Sequence, residues 1–296
     1  MLGFPDALNS NVYAKPDKGV LDLIMEANKY PDKPYFLILD EMNLSHVERY
    51  FADFLSVMES NSEISLHPGR EAWNGVPFQI EIPKNLFIVG TVNIDETTYM
   101  FSPKVLDRAS VIEFRVTAEE MERYLDNNTI LNLKNLISAG ANMANSFVSI
   151  AKDVGLVSKN EAEIKDALLL FFRELRRTGA EFGYRSASEI KRFAAVVNII
   201  EPGWTVTEII DAAIMQKLLP KVHGSRKKLE GVLLTLALMC TQKSVLEGKD
   251  FKIEGLLNSE QLEIETEKFI YPISFEKISR MYKGLLANGF TSYAEA

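Results

Sequence analysis

The sequence contains a single cysteine, Cys240, in 296 residues. One thiol excludes an intrachain disulfide and any zinc site built on paired cysteines. It also points to a reducing, cytoplasmic compartment. Long apolar runs are missing: stretches such as Ala167–Phe172 fall far short of the roughly 18 residues that a membrane-spanning helix needs. The start, Met1-Leu2-Gly3-Phe4-Pro5-Asp6, has neither the basic residues nor the apolar core of a signal peptide. Glycine (16) and proline (11) are too few for a low-complexity chain. An excess of positive charge is lacking too. Lysine and arginine number 33 against 41 aspartates and glutamates, a net charge of −8. That balance argues against a protein that coats DNA with its whole surface, but it permits a local basic patch. What is present is ordinary for a globular chain, 47% hydrophobic and 25% charged residues. At roughly 100–200 residues per domain, one large or two modest domains fit.

Residues 2–16 have no helix or strand period and read as a loop. Apolar spacing predicts helices over Gly19–Lys29 and Ser45–Glu59. Between them Tyr35-Phe36-Leu37-Ile38-Leu39 is a continuous apolar run, the pattern of a parallel strand buried on both faces. Ile64-Ser65-Leu66 and Phe78-Gln79-Ile80-Glu81-Ile82 alternate, with Asn74-Gly75 between them, and predict a hairpin with a long tip. Leu86–Val92 and Val111–Val116 read as two further core strands, with a short helix at Lys104–Ala109. Strands alternating with helices indicate an open α/β sheet. After Thr117 helical periodicity dominates, over 118–125, 129–151, 160–178, 186–200, 206–219 and 225–246. The tail is mixed, with a short strand at Phe269–Ile273 and a last helix at 274–287. The fold class is therefore α/β followed by an all-α part, with an α/β core over 1–120, a helical domain over 121–248 and a C-terminal extension over 249–296.

Two adjacent acids, Asp40-Glu41, end the first buried strand. Acids at the carboxyl end of an apolar strand are costly unless they face a cleft, and ligands of open α/β sheets bind at that edge. In phosphate-handling ATPases such a pair holds Mg²⁺ through water and polarises the attacking water. A plain charged turn is the competing reading. Asn93, after the next core strand, is placed to orient a water against a terminal phosphate, or else forms an ordinary Asx turn. Arg108, before the third strand, either projects from the domain edge or makes a surface pair with Asp107. Lys217, Lys221, Arg226, Lys227 and Lys228 form a stretch without an acid, a weak candidate for DNA phosphates or a solvated helix start. His223 has no evident carboxylate or cysteine partner and reads as structural or exposed, and Trp73 near the hairpin tip is a candidate partner contact.

In order and spacing these residues resemble the AAA+ ATPases: Phe36-Leu37-Ile38-Leu39-Asp40-Glu41 resembles Walker B, Asn93 sensor 1, and Leu106-Asp107-Arg108-Ala109 an arginine-finger segment. Asp40-Glu41-Met42-Asn43 and Gly90-Thr91-Val92-Asn93-Ile94-Asp95 are closer still to the McrB-type branch, which includes the nucleotide-hydrolysing subunit of 5-methylcytosine-specific restriction systems. Phe182-Gly183-Tyr184-Arg185-Ser186 resembles a sensor 2 segment opening a lid helix. The resemblance covers about residues 1–245. It implies an incomplete AAA+ core followed by a lid, with ATP or GTP and Mg²⁺ as ligands. Asp40 would serve Mg²⁺ through water, Glu41 the attacking water, and Asn93 and Arg185 the terminal phosphate. Arg108 would act at a neighbour's site, which implies a homo- or hetero-oligomeric ring of AAA+ subunits, with DNA and a nuclease subunit as further partners and no membrane.

A phosphate-cradling loop, Gly-x-x-x-x-Gly-Lys-Ser/Thr, does not occur in these residues; the one Gly-Lys pair, Gly248-Lys249, lacks the rest of the pattern. The expectation is a truncated or split frame, or a fragment, that binds nucleotide weakly and does not hydrolyse it alone. A non-catalytic AAA+-like interaction subunit and a DNA-binding module are the other readings.

Overall fold

The structure, a computed structural model, describes residues 1–17, 19–60, 62–93, 101–126, 132–247, 252–258 and 266–296. Ile94-Asp95 of the resemblance, Gly248-Lys249 and part of the expected tail lie outside the described residues. From the N-terminus, β1 (Phe4–Pro5) and β2 (Tyr13–Ala14) precede α1 (Val20–Lys29), β3 (Tyr35–Leu39), α2 (Val47–Tyr50) and α3 (Ala52–Ser60). The strands β4 (Ile64–Ser65), β5 (Gln79–Ile80) and β6 (Leu86–Gly90) follow. Then come α4 (Pro103–Leu106), α5 (Ala118–Asp126), α6 (Ala144–Lys152), α7 (Glu161–Arg176), α8 (Tyr184–Ile200) and α9 (Val206–Ala213). The chain ends in β7 (His223–Ser225), α10 (Arg226–Met239), α11 (Lys243–Leu246), α12 (Ile253–Leu257), α13 (Pro272–Asn288) and β8 (Phe290–Ser292). Contacts divide the chain into two compact units, Met1–Tyr99 with Glu113–Val154, and Met100–Ile112 with Gly155–Ala296.

In the first unit β3 and β6 pair in parallel, from Tyr35 opposite Leu86 to Leu39 opposite Gly90. Helix α1 buries Val20, Leu21, Ile24 and Ala27, a helical stripe, and packs on β3. Asn85 fixes the register. Its buried amide group donates to the carbonyls of Ala27, Tyr30 and Lys33 at 2.9, 3.1 and 2.8 Å, and its own carbonyl accepts from the Tyr35 amide at 2.8 Å. It thus satisfies carbonyls at the end of α1 and starts the parallel ladder. Replacing Asn85 by alanine orphans those acceptors and is expected to cost about 2 kcal/mol. A denaturant midpoint unchanged from wild type would refute this role.

Five expectations are corrected. β3 is not buried on both faces: Leu37 is buried, whereas Ile38 is 65% exposed and Phe36 is exposed too. The sheet has two strands among the described residues, and on that face Phe87 and Phe147 lie 5.4 and 6.0 Å from Phe36. Val111–Val116 forms no strand among the described residues, and Phe114 is 93% exposed. Alternation makes a strand only where a neighbour takes up the backbone donors and acceptors. The predicted helix over 129–151 is broken into short 3₁₀ turns at Leu133–Leu136 and Ala141–Met143 before α6. Phe269–Ile273 contributes a single bridge, Phe269 to Thr241, and no strand. Residues 4–14, read as a loop, close into the small β1–β2 pair. The hairpin at 64–82 forms, and Asn74 and Gly75, both at positive φ, make the two-residue turn between Trp73 and Val76.

The second unit is helical around one apolar core, with Ile164, Phe171, Leu175, Ile190, Leu218, Leu233 and Leu236 at its centre. The C-terminal segment is part of it: α13 packs on α10 and buries Phe275, Ile278, Met281 and Leu285 in the same core. β8 pairs antiparallel with β7, Ser292 opposite His223. Helix α9 opens with a capping box formed by Thr205 and Glu208, then widens into a π-turn at Ile214–Leu218 and a 3₁₀ turn at Leu219–Lys221. The C-cap of α10 is Cys240, fully buried, where desolvation pushes its thiol well above the usual range. Among the described residues no helix is long and apolar enough to cross a membrane.

Candidate functional site

The parallel ladder brings the ends of β3 and β6 side by side, so Asp40 and Glu41 emerge next to Thr91 and Asn93. Thr91 organises the junction. Its amide donates to Leu39 O at 2.9 Å, continuing the ladder, and its carbonyl accepts from the Met42 amide at 2.8 Å. Its hydroxyl accepts from the Glu41 amide at 2.8 Å and donates to Asp40 Oδ1 at 2.5 Å. The chain then turns sharply. Glu41 sits in the left-handed region, at φ 48° and ψ 49°, a conformation a glutamate adopts only at a cost. The turn continues as a 3₁₀ segment at Met42–Leu44, and Tyr50 of α2 donates to Met42 O at 2.8 Å.

The strained turn aims Glu41 at Asn93, whose Nδ2 donates to Glu41 Oε1 at 3.1 Å. Asn43 lies beneath, buried, with Nδ2 donating to the Asn93 carbonyl at 3.0 Å. Its Oδ1 is buried without a hydrogen-bond partner among the described residues. Gly90 is tight as well: a Cβ there would lie 2.5 Å from Met42 Sδ. Asp40, Glu41 and Asn93 are themselves exposed. The result is an open, acidic rim with two carboxylates, an amide held against one of them, and a hydroxyl held against the other.

Sequence reasoning named Asp40, Glu41 and Asn93, and the fold brings these three together. It gave no role to Thr91 or Asn43, although both stand in the quoted motifs. The signal was the register itself, since Leu39 opposite Gly90 necessarily sets the next pair, Asp40 and Thr91, alongside each other.

The other candidates lie in the second unit. Helix α4 ends at Leu106, so Arg108 stands beyond it rather than on it, half-buried, with Nη1 donating back to Lys104 O at 2.6 Å. Arg185 is the second residue of α8, half-buried, and its side chain has no hydrogen bond or ion pair among the described residues. The basic stretch is mostly neutralised locally. Lys221 pairs with Asp107, Lys217 with Glu189, and Arg226 with Glu230 at 2.8 Å. That last pair holds the Arg226 guanidinium above and the Glu230 carboxyl below its ordinary range. Lys227 and Lys228 stay exposed. His223 is exposed, with Nδ1 3.2 Å from Lys221 O, and Trp73 stacks on His67 at 4.2 Å. Among the described residues no three His, Cys, Asp or Glu side chains gather as a metal cage. A hydrated Mg²⁺ needs less, one or two carboxylates and the phosphates of its nucleotide. The open Asp40 carboxylate suits that mode.

The family profile described as a domain of unknown function, DUF8727, matches residues 137–290, just over half of the chain. The matched span contains Arg185, Lys217 and Lys221 and leaves out Asp40, Glu41, Asn93 and Arg108. No curated protein and no solved structure matches the chain.

Proposed function

The chain belongs to the DUF8727 family, and we propose that it is the Walker B, sensor and lid part of a McrB-type AAA+ NTPase that works in a ring on DNA. The observation that supports this reading best is the Asn93–Glu41 contact of 3.1 Å at the carboxyl ends of two parallel strands. An acid held by an amide at such an edge is suited to holding a water in line with a terminal phosphate. Asp40, fixed by Thr91, would hold Mg²⁺ through water, and the ion would neutralise the phosphates of ATP or GTP. Glu41 would accept the proton of the attacking water, and Asn93 would keep the Glu41 carboxylate oriented. Arg185 would meet the terminal phosphate from the lid, and Arg108 would serve the site of a neighbouring subunit. No phosphate-cradling loop lies within the 296 residues, so turnover requires one supplied from outside them. A stand-alone DNA-binding module is the second reading, and it would rest on the exposed Lys227 and Lys228, since Lys221 and Arg226 pair with Asp107 and Glu230.

The test is a titration of the purified chain with fluorescent ATP and GTP derivatives, with and without Mg²⁺. Weak, Mg²⁺-dependent binding is expected, reduced about tenfold or more by Asp40→Ala, with no phosphate release. Binding indifferent to Mg²⁺ and to Asp40→Ala would overturn the proposal. So would no binding at all, or turnover of about 1 s⁻¹ or faster by the chain alone.

A further inference from the structure

Lys217 and Lys221 are nearly enclosed, with side chains 7% and 9% exposed. Each ammonium reaches two places. Lys217, on the π-turn after α9, pairs with Glu189 of α8 and donates to the Ala109 carbonyl at 2.8 Å. Lys221 pairs with Asp107 and donates to Ser186 Oγ of α8 at 2.9 Å. Asp107 and Ala109 flank Arg108, and Ser186 adjoins Arg185. A third tie is made by the backbone. Pro220 has no N–H to give to the Gln216 carbonyl four residues earlier, and that carbonyl accepts from the Val111 amide at 3.0 Å. The π-turn, a rare element concentrated at functional sites, is what carries Lys217 and Gln216.

Burying two ammonium groups is an inefficient way to stabilise a fold, since apolar residues of similar size do as well or better. Their arrangement accounts for them differently. We infer that Lys217 and Lys221 are positioning residues that lock the 102–112 segment onto α8. Arg108 and Arg185 then move as one body. The inference rests on the proposed function in one respect: Arg185 reads a phosphate in this subunit's own site while Arg108 is offered to a neighbour. The brace is then a relay, through which phosphate occupancy at Arg185 sets the placement of Arg108. The same grouping is visible in the division of the chain, where 100–112 joins the lid unit and not the unit that holds Asp40 and Glu41.

Amide hydrogen exchange on the full chain tests both parts, with inorganic tripolyphosphate as the probe. Without the probe, Lys221→Gln and Lys217→Gln are expected to speed exchange over 104–111 about tenfold, while α10 and α13 keep wild-type protection. The swap Asp107→Lys with Lys221→Asp is expected to restore it. Unchanged exchange over 104–111 in both lysine variants overturns the brace, whatever tripolyphosphate does. With the probe, the wild type is expected to gain protection at the start of α8 and over 104–111, and Lys221→Gln at α8 alone. Arg185→Ala is expected to gain neither. Protection gained over 104–111 equally in wild type and Lys221→Gln overturns the relay. A wild type that tripolyphosphate leaves unchanged at α8 overturns the phosphate role of Arg185, and the relay with it, while the probe-free exchange still decides the brace.

Discussion

Asp211→Ala is expected to destabilise the helical unit by about 3 kcal/mol, through two amides left bare at the start of α13. The helix begins at Pro272, which has no N–H, and its N-cap residue Tyr271 supplies no side-chain cap. The next two donors fall to Asp211 of α9. Ile273 N–H donates to Oδ2 at 2.9 Å and Ser274 N–H to Oδ1 at 2.8 Å, with the Ser274 hydroxyl adding a bond of 2.5 Å to Oδ1. Asp211 thus caps a helix remote in sequence and sits at the positive end of its dipole. Desolvation outweighs these bonds and raises its carboxyl above the ordinary 3.8. The folded state therefore binds the Asp211 proton more readily than the unfolded chain does. Stability from this group is greatest below 3.8, declines as pH rises through the raised folded value, and is constant above it. The deficit of Asp211→Ala should accordingly be larger at acidic pH than at neutrality. Denaturant melts at both pH values check this, and Asp211→Asn, which keeps one acceptor, should fall between wild type and alanine. An alanine variant as stable as wild type would remove the cap from the account.

Glu41 should separate function from stability. Glu41→Gln keeps an oxygen for Asn93 Nδ2 and loses the charge. In an assembly competent for hydrolysis it is expected to lower turnover by about 10²–10⁴-fold while nucleotide still binds. Glu41→Gly is expected to lose the same activity yet melt no lower than wild type. At φ 48° the glutamate carries left-handed strain of about 1 kcal/mol that glycine does not. Phosphate release and thermal melts on the same two variants read both effects. If Glu41→Gly melted well below wild type, the turn would owe its shape to the side chain rather than to the bonds from Thr91. If Glu41→Gln turned over normally, Glu41 would not be the base.

The acidic rim was legible because its parts are short-range. An apolar run ending in two acids, and a second run ending in an amide, each announce a strand and what lies beyond its end. The pairing of the two strands follows from the helical stretch between them, which only a parallel arrangement accommodates easily. The left-handed Glu41 left no trace in composition, because glycine, the usual marker of positive φ, is absent there. The strand predicted at Val111–Val116 failed for a different reason. Periodicity describes a side-chain pattern, and a strand also requires a second backbone. The lysines were misleading in linear form. Nothing in the run from Lys217 to Lys228 reveals that Glu189 and Asp107 come to meet two of them, and charges that look solvated turn out to be enclosed.

The single thiol has a practical side. Cys240 is sealed in the core with its thiolate form disfavoured, so maleimides should pass over the native protein. The wild-type chain is therefore its own background for site-directed labelling. A cysteine introduced on the exposed part of the 101–112 segment, or near Asp40, would carry a fluorophore or spin label alone. Reaction at Cys240 itself would instead report how often the helical core opens.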